Sequence, residues 1–485
     1  MANIKTVLKN IFFYSSSGFL LRASSIFLFP VFSYYLTQSD YGILSITQSL
    51  TAIIFTFSSL QLGSALSRFV YTGNEEQYDE EKTATVLRTT FTIVFLINLV
   101  VFLFITFVGK DYLKFILNDI PYFPFVFFAL MAMPITAVYD LYKIYLQAQH
   151  KGSKVFTLDM LFYGGNIGLN LLLVAVFKLG ALGIIYSTLA NAVVFIGYFL
   201  IREPQFFLPK IDLDSIKPLL KYSLPFIPFI FFGFLMENAD KFIVQSKIGS
   251  SASGIYYIAI TFASIFSISK GSLLAALTPW FFSNFKEENY AKIKNFFHII
   301  IWGMTLFAAG ILIFSYEILY LLSSNPNLVK AGQYIPLFVI GFFITFIGQM
   351  YALPTFHSKF AVKYLFLANL AGFITNLIGS YLLIERFELF GAGVSKILAY
   401  TVMTITLIII NNYASKFRMN LLYVFLPLLF LILVYMGTFL EFPFWTKLFI
   451  KIGFMLISGI LFLLIIIKLV SLDKIKEIIK SPLSE

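Results

Sequence analysis

Apolar residues in this chain come in runs long enough to cross a lipid bilayer, and the runs follow one another with little between them. A helical crossing needs about 20 mostly apolar residues. The stretches 91–108 and 421–440 meet that requirement with few polar side chains. About fourteen such runs can be drawn, at 11–36, 42–66, 86–109, 121–146, 155–178, 181–201, 219–244, 253–279, 295–322, 332–356, 360–384, 389–411, 419–439 and 444–470. The chain is 59% hydrophobic and its mean hydropathy is +0.88. One aqueous core cannot cover that much apolar surface, so lipid is the solvent of this fold. Continuous apolar blocks such as 193–200 and 405–410 lack the alternation of a strand barrel. The expected fold class is therefore an all-α integral membrane protein.

A net charge of +11 would suit a nucleic-acid binder if it formed one surface, but it does not. Lys and Arg gather in alternate loops, at Arg68/Lys82/Arg88, Lys143/Lys151/Lys154, Arg202/Lys210/Lys217/Lys221, Lys286/Lys292/Lys294, Lys359/Lys363 and Lys416/Arg418. Basic loops stay on the cytoplasmic side. The pattern places both termini in the cytoplasm of a multi-pass protein, here expected in a bacterial inner (cytoplasmic) membrane. No cysteine is present, which excludes disulfides, thiol catalysis and thiolate metal sites. His150, His298 and His357 lie too far apart in sequence to suggest a histidine metal site. No phosphate-cradling GxxxxGK[ST] loop occurs, which argues against direct ATP drive. The chain offers neither acidic loop motifs nor an extramembrane domain for glycosyl transfer. No cofactor is expected.

A polar stretch from Arg202 to Lys217 separates the first six runs from the next six. Leu8-Lys9 aligns with Leu220-Lys221, and the same offset brings Gly42 onto Gly254. At nearly that offset, Lys178-Leu179-Gly180-Ala181-Leu182-Gly183 meets Glu388-Leu389-Phe390-Gly391-Ala392-Gly393. An even number of spans precedes the second copy, so the halves share one orientation and a twofold axis would run along the membrane normal. This predicts an N-terminal six-helix bundle over 1–210, a second over 211–414, and two accessory spans with a cytoplasmic tail over 415–485.

Leu36-Thr37-Gln38-Ser39-Asp40-Tyr41-Gly42-Ile43-Leu44 resembles a recurring feature of polysaccharide-lipid flippases. Asp240-Lys241-Phe242-Ile243 with Gly254-Ile255-Tyr256-Tyr257 is similar to its second-half counterpart, and Gly391-Ala392-Gly393 also fits the pattern. These flippases, which include those for O-antigen and capsule repeat units, belong to the multidrug/oligosaccharidyl-lipid/polysaccharide exporter superfamily. The resemblance implies two six-helix bundles around a central cavity that opens alternately to each side. Spans one, two, seven and eight would line it. The implied substrate is an undecaprenyl-pyrophosphate-linked oligosaccharide, moved from the cytoplasmic to the outer leaflet. Membrane lipids and a polysaccharide polymerase are the implied partners.

Ionisable groups within hydrocarbon cost roughly 2.5–3.5 kcal/mol each on insertion scales and mark functional candidates. Arg22 falls near the middle of span one and Lys270 about two-thirds along span eight. A pyrophosphate leaving water needs cations, and a guanidinium supplies two parallel donors. Arg22 and Lys270 are therefore the leading substrate ligands, with Arg68 and Lys241 as further candidates. Arg22 could instead form a structural ion pair, Lys270 could snorkel, and orientation by basic loops explains Arg68 equally well. Glu237 and Asp240 are candidates for coupling to H+ or Na+. The bland alternative is an intrahelical Glu237–Lys241 pair. Asn166, Asn170, Asn369 and Asn376 would hydrogen-bond between helices. Tyr139–Tyr145 and Tyr256-Tyr257 would belong to interfacial aromatic belts or stack on sugars. Proline groups at Pro121/Pro124/Pro134 and Pro225/Pro228 mark bends.

Two rivals remain at this level. A cation-coupled multidrug exporter of the same superfamily would need acids in its cavity, whereas Asp140 and Asp159 are expected near span ends. A noncatalytic membrane scaffold for polysaccharide assembly would tolerate Arg22→Ala.

Overall fold

Backbone groups in lipid must be satisfied within their own segment, and helices do this. The computed structural model describes residues 26–73, 80–357, 361–415, 417–418, 422–438, 449–456 and 458–460, and no strand occurs among them. Ten of its helical segments are long and apolar enough to cross a membrane. They are Gln38–Ser58, Thr83–Leu117, Tyr122–Ala148, Gly152–Val176, Ala181–Arg202, Leu213–Ile248, Ser250–Thr278, Tyr290–Leu322, Ile335–Phe356 and Leu365–Ala414.

Nine of these match single expected runs, and the tenth covers two. Within Leu365–Ala414 the backbone breaks at Glu388 (φ 51°, ψ −131°), which separates the runs expected at 360–384 and 389–411. Helix Leu422–Gly437, in the run expected at 419–439, has 16 described residues. The expected runs 11–36 and 444–470 lie largely outside the described residues.

Local chemistry explains several boundaries. Helix Gln38–Ser58 opens with a capping box, in which Thr37 Oγ1 accepts from the Asp40 amide and Asp40 accepts from the Thr37 amide. Pro225 and Pro228 sit where a short 3-10 turn, Leu224–Phe226, joins helices Leu213–Ser223 and Ile227–Ile248. Lys178 (φ 55°) and Glu388 (φ 51°), which the internal repeat pairs, both have a positive φ.

Packing divides the chain into two units. The first holds 1–258, 322–328 and 376–392, and the second holds 259–321, 329–375 and 393–485. In the first unit, Tyr139, Tyr142, Phe162, Phe199 and Phe207 form an aromatic core. Tyr139 stacks on Phe162 at 4.0 Å and Phe199 on Phe207 at 4.7 Å. Tyr139, Tyr142 and Tyr145 are buried, so these tyrosines pack between helices and do not form an interfacial belt. In the second unit, helix Ile335–Ala352 is buried along most of its length. Gly341 and Gly348 let it approach Tyr400 and Thr404, where an added Cβ would come within 2.9 Å and 2.6 Å. Small residues at such positions allow helices in lipid to pack closely.

Candidate functional site

The candidate residues distribute over both units. Arg22, the leading candidate from sequence, lies outside the described residues. Lys270, on helix Ser250–Lys286 in the second unit, is buried with 7% exposure. Its Nζ donates to Thr345 Oγ1 at 2.8 Å. Thr345 sends its own proton to the Phe342 carbonyl at 2.8 Å, which leaves a lone pair for the ammonium. Lys270 is thus held within the protein and does not reach out to a water interface.

Arg68 is exposed, and its guanidinium lies over the Tyr222 ring at 4.5 Å. That cation–π contact clips helix Leu62–Gly73 to helix Leu213–Ser223. Lys241 donates to Asn238 Oδ1 at 2.8 Å on its own helix, and Glu237 is exposed.

Asp240 has the strongest setting. It is fully buried and accepts hydrogen bonds from the Tyr256 hydroxyl and, at 3.4 Å, from Asn376 Nδ2. Asn376 also donates to the Met236 carbonyl at 2.8 Å and accepts from Ser380 Oγ at 3.1 Å. This places Asp240, Tyr256, Asn376 and Ser380 in one buried polar network in the first unit. Asn376 therefore bonds between helices as expected, while Asn170 donates to Asn166 at 2.9 Å within a single helix. Tyr256 and Tyr257 are engaged too, because the Tyr257 hydroxyl donates to Gln48 Oε1 at 3.0 Å. Neither tyrosine belongs to an exposed belt.

The two motif glycines meet each other's segments. An added Cβ on Gly42 would lie 1.9 Å from the Ser250 carbonyl oxygen, and one on Gly254 would lie 1.8 Å from that of Gln38. The start of helix Gln38–Ser58 and the start of helix Ser250–Lys286 are thus in backbone contact. A relay of hydroxyls fastens them. Ser39 Oγ lies 2.7 Å from Ser250 Oγ, and Ser250 Oγ donates to Asp119 at 2.5 Å. With its proton committed, Ser250 accepts from Ser39. Gln245 Nε2 donates to the other Asp119 oxygen at 2.7 Å, and Asp40 accepts from the Ala181 amide at 2.9 Å. Sequence reading singled out both glycines but could not show that each fills the other's space.

Sequence reading also missed a cavity. Asp140 was expected near a span end, but it lies about two turns before Ala148, where helix Phe127–Ala148 ends. There it helps to line a cavity of about 200 Å3 in the first unit. The signal available was the stripe Ala129, Met133, Thr136 and Asp140 at helical spacing.

Comparison with known proteins fits this architecture. The family model described as "Polysaccharide biosynthesis protein" matches residues 7–285. No curated protein matches the chain. Among solved structures, the lipid II flippase MurJ in an inward closed conformation has a TM-score of 0.65 at 14% identity, covering 94% of this chain and 98% of its own. An inward-facing multidrug resistance MATE family transporter of the MOP superfamily has a TM-score of 0.60 at 13% identity, covering 81% of this chain and 97% of its own. A MOP superfamily transporter from Pyrococcus furiosus, described as having a binding pocket of reverse polarity, has a TM-score of 0.52 at 14% identity, covering 84% and 95%. At these identities the structural likeness carries the fold.

Proposed function

Because the chain belongs to the polysaccharide biosynthesis protein family, we propose that it is a flippase for lipid-linked oligosaccharides, working by alternating access. The observation that carries this reading is the family match over residues 7–285, supported by a MurJ-like fold along most of the chain. The substrate would be an undecaprenyl-pyrophosphate-linked repeat unit, carried from the cytoplasmic to the outer leaflet of a bacterial inner membrane with both termini in the cytoplasm. Its sugar head would enter a cavity between two six-helix bundles while the lipid tail stayed in the bilayer.

The chemistry of the candidates supports that assignment. A diphosphate leaving water needs cations fixed in advance, and Lys270 is a buried ammonium held by a hydroxyl. Moving Lys270 Nζ from Thr345 onto a phosphate oxygen exchanges a neutral acceptor for a charged one. Charge-assisted hydrogen bonds are roughly twice as strong as neutral ones. Arg22 would share the load, with Arg68 and Lys241 as outer contacts. Asp240, rather than exposed Glu237, is the better coupling group. A proton or Na+ arriving at a buried carboxylate alters its balance of charge and hydrogen bonds and so biases one conformation. A polysaccharide polymerase would take up the delivered product.

The test is genetic and chemical together. In the native host, loss of the gene should abolish the surface polysaccharide and leave lipid-linked repeat units facing the cytoplasm. Surface polysaccharide that persists unchanged would refute the assignment. A second reading, cation-coupled multidrug export, draws support from the placement of Asp140 in a cavity wall. It predicts that cells lacking the gene become sensitive to cationic dyes while their surface polysaccharide is intact.

A further inference from the structure

The segment joining the sixth and seventh expected spans is fastened to the first unit along one side. Three threonines of helix Glu80–Phe104, spaced i, i+4 and i+7, face it. Thr92 Oγ1 accepts from the Lys210 amide at 3.1 Å, Thr89 Oγ1 from the Asp212 amide at 3.2 Å and Thr85 Oγ1 from Lys210 Nζ at 2.9 Å. Arg88 Nε donates to the Leu208 carbonyl at 2.8 Å. Phe207 is buried against Phe199 and Phe91. On helix Leu213–Ser223, Ile216, Leu219 and Ser223 are buried and mark the inward side. So bound, the segment cannot roll over, and its other side stays outward.

That outward side mixes apolar and cationic groups. Leu208, Ile211 and Leu213 are 48%, 58% and 61% exposed. Leu213, Lys217 and Lys221 recur at i, i+4 and i+8, so they share one exposed stripe of the helix. Asp214 also lies outward and pairs with Lys217 at 3.3 Å, but both side chains are well exposed and such a pair holds weakly. Glu203 is engaged by Lys154. Asp212 accepts from the Asp214 amide and the Ser215 hydroxyl. Arg202 and Lys221 meet no acid among the described residues.

Depth selects the occupant. Arg202 ends the spanning segment Ala181–Arg202, and Lys217 and Lys221 lie in the first turns of Leu213–Ile248. Basic side chains at span ends sit at the level of the lipid phosphates, with their stems along the hydrocarbon. A purely anionic partner would leave Leu208, Ile211 and Leu213 uncovered, and a neutral lipid would leave Arg202 and Lys221 without a counter-charge. We propose that the outward side of residues 202–226 is a docking surface for anionic phospholipid of the leaflet it borders. Arg202, Lys217 and Lys221 hold the phosphate, while Leu208, Ile211 and Leu213 rest among the first acyl carbons. Each basic residue close to an anionic bilayer surface contributes roughly fivefold in affinity. The surface does not depend on the flippase assignment.

The absence of native cysteine permits a local readout. Full-length protein with Ile211→Cys, labelled there with bimane, is placed in phosphatidylcholine nanodiscs. A small, equal fraction of phosphatidylglycerol or of phosphatidylcholine, each spin-labelled at the same shallow acyl carbon, serves as quencher. Phosphatidylglycerol should quench about fivefold more strongly than phosphatidylcholine, mole for mole. That preference should fall toward parity in Lys217→Gln with Lys221→Gln, and in high salt. It should persist in Lys110→Gln, which alters an exposed lysine elsewhere in the first unit. Lys217 and Lys221 are exposed, so their replacement removes no core packing, and the salt series tests the surface without touching either lysine. Equal quenching by the two lipids overturns the proposal, as does a preference that survives both the lysine changes and high salt. Quenching by neither lipid also overturns it. A bimane signal that instead follows protein concentration would assign the surface to a second copy of the chain and likewise refute it.

Discussion

Adding one methyl group at Gly42 tests the contact between the starts of helices Gln38–Ser58 and Ser250–Lys286. In Gly42→Ala the new carbon would lie 1.9 Å from the Ser250 carbonyl oxygen and 2.7 Å from its carbon, where ordinary contact begins at 3.4 Å. The obstacle is backbone, so no side-chain rotation relieves it, and the segments must separate by about 1.5 Å. Overpacking of this kind costs about 1–3 kcal/mol. If another conformation parts these segments, about 2 kcal/mol shifts the equilibrium toward it by roughly 30-fold. The assay exploits the absence of native cysteine. Ser39 and Ser250 have their oxygens 2.7 Å apart, close to disulfide reach. Ser39→Cys with Ser250→Cys should cross-link readily on mild oxidation, and adding Gly42→Ala should slow cross-linking by a comparable factor. An unchanged rate would mean that the glycine contact does not hold the segments together.

Three further outcomes follow from the described geometry. Lys270→Ala should reduce flipping of a lipid-linked oligosaccharide in reconstituted vesicles by at least about tenfold, with Lys270→Arg retaining more activity; equal activity in all three proteins would remove Lys270 from the substrate path. Asp240→Asn should abolish any dependence of transport on a proton or sodium gradient while leaving the protein folded, and a gradient response like that of the parent would exclude it as the coupling group. Lys451→Met leaves Glu317 as a buried charge without the ammonium that stands 2.5 Å away, and should destabilise the protein by about 3–5 kcal/mol in denaturation followed by tryptophan fluorescence.

Helix positions were readable because hydropathy reports contact with lipid, which each segment makes by itself. Nine expected runs, from 42–66 to 332–356, each reappear as one spanning segment. The Glu388 break was visible only as a change of run, because nothing in a glutamate announces a positive φ. Functional side chains were harder to place, since their roles depend on neighbours distant in sequence. Asp240 draws its partners from residues 16 and 136 positions away. Asp140 looked peripheral because distance along one helix says nothing about a hollow bounded by three. Lys143 shows the same limit, because the carboxylate it pairs with, Asp159, comes from a different helix.

Gly42 and Gly254 are bound in a shared fate by the contact they make. Each leaves room for a carbonyl from the opposite segment, so the first methyl to arrive forces both apart and the second finds space already cleared. A double-mutant cycle should therefore show strong non-additivity, with Gly42→Ala plus Gly254→Ala costing scarcely more than either change alone.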